Sequence, residues 1–379
     1  MVRPVAVHAT AIALALLFVL CAGGGAIPPR ALAADDKPAV ESRERFQPRI
    51  VEGYPEWYIE RLKQREKKVL DDLGEKRSLS VVPSALLILR TDEWTPDAKI
   101  TVAFNGGNPR LHALIEQIAS VWSEYGNVHF DFGRDASGHY RSWSSGDLDY
   151  KADVRLAFQA AGFWSAVGKD AVNPDLNQPG TQTMNLQRFD RSLPLNFEGI
   201  IRHEFGHVLG LEHEHQSPGV ACDFRWNDDA GYVRTTDQFG QFVVDKQGRH
   251  PGIYTVMGGP PNNWSKDQVD FNLRPLTTLN DTPVSNYSIG PFDKFSIMKY
   301  YYDDTMFVSG KNSVCYSPGV NYDLSAEDEK RIALYYPKDA AVAAAQTQQK
   351  RKAIETVLSQ LPQTSLLAKE LQLKQRKLQ

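Results

Sequence analysis

Apolar side chains recur along this chain at two spacings, and the change of spacing marks its elements. In KITVAF, Ile100, Val102 and Phe104 alternate with other residues, which turns all three to one side of a strand. The next run, GGNPRLHALIEQIASVWSEYG, brings Leu111, Leu114, Ile115, Ile118, Trp122 and Tyr125 back every three or four positions, the face of a helix. Asn108 can cap that helix, Pro109 suits its first turn and Gly126 can end it. NVHFDF and DVRLAF then alternate again, with Val128, Phe130 and Phe132 on one face and Val154, Leu156 and Phe158 on another. Strand, helix, strand, strand predicts a mixed sheet backed by helices.

The flanks are patterned differently. EWYIERLKQREKKVLDDLGEKR, from Glu56 to Arg77, predicts a helix with few apolar anchors, and residues 34–83 as a whole form a charged arm or pro-segment. Lys76-Arg77 is either a processing site or solvated surface. From about Ser84 to Pro337 the chain has the pattern of a packed domain, with Gly-, Ser-, Pro- and Asn-rich loops at 135–150 and 173–181. LSAEDEKRIALYYP carries a capping box, Ser325 with Asp328, and predicts the last helix of the domain. Beyond it, residues 338–379 are rich in Ala, Gln and Lys, with 8 basic and 3 acidic side chains. Pro362 splits that tail into two weak helices, which predicts a solvated extension.

Composition adds little to this picture. Among 379 residues, 42% apolar and 23% charged content is ordinary for a globular chain. The first 33 residues change it more: Arg3, an apolar run from Ala11 to Cys21, and Ala31-Leu32-Ala33 have the layout of a signal peptide. About ten apolar residues are too few to span a bilayer. The expectation is export, to the medium or a periplasm, with no stable membrane span after cleavage. Removal of Arg3 and Arg30 makes a net charge of −3 more acidic, which predicts no nucleic-acid partner. Cleavage also leaves only Cys222 and Cys315, either one disulfide or two buried thiols. The oligomeric state has no signal.

Chemistry concentrates in HEFGHVLGLEHEH, residues 203–215. His203 and His207 are four apart, so on a helix both imidazoles reach one ion, and Glu204 projects beside it. Asn196 can cap this helix, Glu198 suits its positive end, and Phe197, Ile201, Val208 and Leu209 can face a core. A catalytic zinc takes three protein ligands and keeps one position for water, whose pKa it lowers to about 7. His213 is the third ligand, reached if the chain turns sharply at Gly210, where an unusual φ is tolerated. Glu204 can take a proton from the attacking water and pass it to the leaving amine. His215 lies too far along for the same spacing and is expected in a loop.

His203, Glu204, His207, Gly210 and His213 match the extended metzincin motif, and SIMKY at Ser296–Tyr300 resembles the downstream methionine turn of that group. Within it, the chain is most similar to the astacin family. HVLGLEHEHQSP resembles the astacin run in which a glutamate, here Glu214, follows the third histidine, and GFWSAVGKDA resembles a segment that usually reads Gly-Cys-Trp-Ser. The resemblance implies an α+β zincin-like fold with a mixed, mostly parallel twisted sheet, an active-site helix, and a C-terminal subdomain whose Met-turn sets Met298 under the ligands. It implies one Zn2+, a secreted endopeptidase acting on protein or peptide substrates, and for Tyr300 a role as resting ligand that swings away to stabilise the transition state. Phe163 stands where many astacins have cysteine, so a Cys222–Cys315 bridge would differ from theirs, and Pro218 stands near a usual arginine. The resemblance spans about Ser84 to Pro337.

Two further expectations come with it. An edge strand above the active-site helix binds the substrate by backbone pairing, and TQTMNLQRF, Thr181–Phe189, is the candidate. A pro-segment often blocks the zinc with a cysteine or aspartate; no cysteine lies between 34 and 221, which leaves Asp71, Asp72 or Asp92. The competing function is a surface or adhesion module with structural zinc, for which Tyr300 would supply a fourth ligand. A metal-dependent hydrolase of non-peptide bonds is a third.

Overall fold

The sheet grows outward from one long strand, and the arm and tail pack at its margin. The computed structural model describes residues 52–79, 93–217, 220, 222–275, 291–376 and 378. The expected signal peptide, all of the arm before Glu52 and its last residues 80–83, Asp92 and Pro218 lie outside these. The arm forms helix α1, Glu56–Leu73, which ends at Gly74 with φ +52°. Lys76 and Arg77 lie in the short 3-10 turn that follows.

Strand β1 is Ala98–Asn105. Helix α2, Pro109–Ala119, begins as predicted, with the Asn108 side chain accepting from Arg110 and Leu111 amides. It does not run unbroken to Gly126. The Ser120 hydroxyl donates back to the Glu116 carbonyl at 2.7 Å, and a separate turn, α3, spans Trp122–Tyr125.

β2 (Val128–Asp131) pairs in parallel with the first half of β1, and β3 (Val154–Ala157) in parallel with its second half. β4 (Phe163–Ser165) and β5 (Met184–Leu186) complete the order β2-β1-β3-β5-β4, in which only β4 is antiparallel to its neighbour. The fold is therefore α+β on a mixed, mostly parallel sheet. Thr181–Phe189, expected at the edge, carries β5 and lies between β3 and β4 with all three strand residues buried. Among the described strands the edge on this side is β4. Three wholly buried residues flanked on both sides cannot offer backbone groups to a substrate.

Helix α4, Phe197–Val208, lies behind the sheet. Its Ile200, Ile201, Phe205 and Val208 share one core with Leu111, Leu114, Ile115 and Ile118 of α2 and with Ile100, Val102 and Leu156 of the strands. Burial of each such side chain is worth about 1.5–3 kcal/mol, so α4 is fixed mainly by this face. Asn196 occupies the capping position, but its side chain accepts no capping hydrogen bond. Helices α5 (Ile253–Gly258) and α6 (Lys266–Leu273) join a second core with Phe224, Tyr300, Tyr302 and Phe307, and the Cys222–Cys315 disulfide lies in the same region. Helix α7, Ala326–Tyr335, has the predicted Ser325–Asp328 capping box.

The tail departs from expectation. It does form two helices about Pro362, α8 (Ala340–Leu358) and α9 (Leu366–Arg376). They are not solvated along their whole length. Ile354, Val357, Leu358, Leu361, Leu367, Ala368 and Leu371 form a buried cluster with Val69 and Leu73 of α1. Neither partner has an apolar stripe wide enough to signal burial alone, and each hides the other's. Among the described residues no helix is long and apolar enough to cross a membrane.

Candidate active site and metal centre

Helix geometry brings His203 and His207 to one face of α4, and the chain then turns back at Gly210, where φ is +89° as the sequence requires. The return carries His213 to the same point: Nε2 of His207 lies 3.1 Å from Nε2 of His203 and 2.9 Å from that of His213. Each ring is held by its other nitrogen. Nδ1–H of His203 donates to the Ile297 carbonyl at 2.7 Å, that of His207 to the Leu211 carbonyl at 2.7 Å, and that of His213 to Oε1 of Gln216 at 2.8 Å. With those protons on Nδ1, three lone pairs converge on one another, an arrangement satisfied by a cation between them.

Burial reinforces this. It pushes His207 down to about 4 and His203 and His213 well below the usual imidazole range, so all three are neutral at pH 7. Three neutral nitrogen donors with fixed tautomers fit one zinc ion.

The supporting shell comes from distant parts of the chain. Ser296–Lys299 forms a tight turn beneath α4, closed by the Lys299 amide on the Ser296 carbonyl. Asp328, which accepts from the Ser325 amide in the capping box of α7, also accepts from the Ser296 hydroxyl at 2.6 Å and the Ile297 amide at 2.8 Å, so one carboxylate fixes both a helix start and the turn that orients His203. Met298 presses against Gly206, where a Cβ would overlap its sulfur, so any larger residue at 206 requires Met298 to move. Glu214 is anchored by the Arg331 guanidinium and by the Asp293 amide at 2.9 Å. Gln216, which had no signal beyond its place in the motif, donates to the carbonyls of Phe271 and Arg274 and thereby aims its oxygen at His213.

Glu204 is fully buried beside His203, and neither carboxylate oxygen has a hydrogen-bond partner among the described residues. Burial and the nearby Glu52 push its carboxyl well above the usual range. Such a group is costly unless it has a proton, a cation or a reacting water to serve. The Tyr300 ring lies 4.3 Å from that of His213 and 5.5 Å from that of His203, with its hydroxyl also unpartnered. His215, expected in a loop, is instead wholly buried in a 3-10 turn, stacked on His213 and packed at a tilt against Tyr300. Its Nε2 meets the Asn272 carbonyl at 3.0 Å, so it supports the site from the side of α6.

The arm enters the same site. Oε2 of Glu52 lies 3.3 Å from Nε2 of His203, and Glu52, His203 and Glu204 form a second potential ligand group. The Gly53 amide donates to the Phe163 carbonyl on edge strand β4 at 3.0 Å, and a Cβ on Gly53 would meet Trp264 at 2.6 Å. The aspartates expected to block the metal do other work. Asp71 pairs with Lys67 one turn away, and Asp72 accepts from the Leu366 amide, capping α9. Asp92 is outside the described residues. A lone glutamate ahead of a glycine has no sequence pattern to announce it.

Three neutral imidazoles around one point, with an unpartnered carboxylate beside them on a mixed α+β fold, define a metalloenzyme centre able to hold one zinc ion. No family model and no curated protein matches the chain. Among solved structures it is similar to myroilysin, at 29% identity over 66% of this chain and 98% of that one, with a TM-score of 0.47. It is also similar to high choriolytic enzyme 1, a hatching enzyme zinc-protease from the medaka fish Oryzias latipes, at 18% identity over 64% of this chain and 92% of that one, with a TM-score of 0.32.

Proposed function

We propose that this protein is a secreted zinc endopeptidase kept latent by its own arm. The observation that carries the reading is the convergence of three Nε2 atoms beside the unpartnered Glu204. His203, His207 and His213 would hold the ion, which when bound supplies Lewis acidity at the scissile carbonyl. Glu204 takes the proton of the attacking water on a carboxylate oxygen and returns it to the leaving amine. Tyr300 donates its hydroxyl to the developing oxyanion. The turn at Ser296–Lys299 serves as the Met-turn, holding Met298 under the helix. A structural zinc module has no use for Glu204. The Cys222–Cys315 bridge is consistent with an oxidising, extracellular destination.

The test is casein hydrolysis after limited proteolysis between α1 and β1 and removal of the released arm. Activity is expected to vanish with a chelator and return with one equivalent of zinc. Hydrolysis that persists in chelator with no metal bound would sink the reading.

Latency follows from Glu52, which presents a carboxylate where a substrate would present an amide carbonyl. Burial holds the Glu52 carboxyl up at about 8, so it would be ionised at neutral pH only against a bound cation, and Glu52→Gln replaces that anionic ligand with a neutral amide. Casein hydrolysis by the unprocessed chain is then expected to rise by about tenfold or more. An unprocessed variant as silent as wild type, with normal zinc content, would argue against Glu52 as the latch.

A further inference from the structure

The arm occupies the cleft as an extended peptide, and the two residues that grip its main chain, Gln268 and Asn272, are not among the metal ligands. The Tyr54 amide donates to Oδ1 of Asn272 at 2.9 Å, and its carbonyl accepts from Nε2 of Gln268 at 3.0 Å and from Nδ2 of Asn272 at 3.3 Å. One residue of main chain is thus read from both sides by two amides on α6. These contacts recognise a peptide group and no particular side chain.

The side chain is read separately. The Tyr54 ring packs edge-on against Phe271 with centroids 6.0 Å apart and lies 6.5 Å from the His207 ring. Tyr54 is 8% exposed. Beyond it, Tyr58 stacks on Trp164 of β4, again aromatic on aromatic. A wall of Phe271 and His207 favours a flat ring over an aliphatic chain by face and edge electrostatics as well as by area.

From this we infer that Gln268, Asn272 and Phe271 form a substrate subsite, one that binds a main-chain amide pair and selects an aromatic side chain next to the scissile bond. The inference rests on the protease reading and deepens it: the substrate class is a polypeptide with Tyr, Phe or Trp within two residues of the cut. In the latent chain Tyr54 is the occupant, so the arm that blocks the site also displays what the site accepts. Asn272 is well suited to the task because its amide is buried and its donor and acceptor are both engaged by the same residue.

The test uses the full chain. Tyr54→Ala vacates the side-chain part of the subsite, and binding of acetyl-Gly-Tyr-Pro-amide and acetyl-Gly-Ala-Pro-amide is measured by NMR titration. The tyrosyl peptide is expected to bind Tyr54→Ala at least about tenfold more tightly than the alanyl one, and at least tenfold more tightly than it binds wild type. Phe271→Ala in the Tyr54→Ala background should bring the two peptides within about twofold. Equal binding of both peptides by Tyr54→Ala overturns the inference.

A second readout separates this inference from the reading beneath it. Casein fragments made by the nicked wild type are sequenced, and an aromatic residue is expected at one fixed position beside the cut. Cleavage with no such preference overturns the subsite and leaves the protease standing. No cleavage, with selective peptide binding retained, overturns the protease and with it the scissile bond, and leaves only a peptide-binding site that selects an aromatic side chain.

Discussion

Glu204→Gln is expected to lower casein hydrolysis by the nicked chain by about 10²–10⁴-fold, the usual contribution of a general base. Zinc content should stay at one per chain. The two outcomes separate because the ligand tautomers are fixed by the Ile297 and Leu211 carbonyls and by Gln216, none of which involves Glu204. Glutamine keeps the shape of a residue packed in a fully buried position but has no oxygen basic enough to take a proton from water. Kinetics on one casein preparation, with metal analysis of the same samples, decides the matter. Activity within about tenfold of wild type would move the base elsewhere.

The second large effect is expected far from the metal. Leu367→Ala with Leu371→Ala should open the arm in the unprocessed chain. Both leucines are wholly buried against the α1 face that carries Val69 and Leu73, and each truncation costs about 2–5 kcal/mol. The same interface holds Arg65 of α1, which reaches Glu370 of α9 at 3.0 Å and Asp170 of the central domain at 3.2 Å. This cluster is separate from the core around α4, so the loss falls on the docking of α1. Amide exchange of α1 should lose protection while that of α4 keeps it, and the unprocessed double variant should hydrolyse casein more than about tenfold faster than unprocessed wild type. Protection retained along α1 would show that the tail does not hold the arm.

The two effects lie at opposite ends of one chain of contacts. The tail holds α1, α1 positions Glu52 and Tyr54, and these two cover the centre that Glu204 serves. Latency in this reading is distributed: Glu52 supplies the contact at the metal site, Gly53 the close passage under Trp264, and the α8–α9 pair the persistence of the arm.

Whatever depends on near neighbours could be read along the chain. The periods of 2 and 3.6 located β1, α2, β2 and β3; Asn108, Gly210 and the Ser325–Asp328 box marked ends and turns; and His203, Glu204, His207 and His213 were legible because a helix and one sharp turn suffice to gather them. The rest depends on contacts between distant segments. That β5 is interior and β4 the edge follows from pairing between segments separated by a long loop, about which alternation within either says nothing. Glu52 reaches a histidine some 150 residues away, Gln216 is aimed by carbonyls of Phe271 and Arg274, and the tail finds its cover on the arm at the other end of the chain. Backbone carbonyls carry no residue code, and a half-apolar helix looks solvated until its partner is known. Those are the places where long-range packing, rather than local pattern, set the structure.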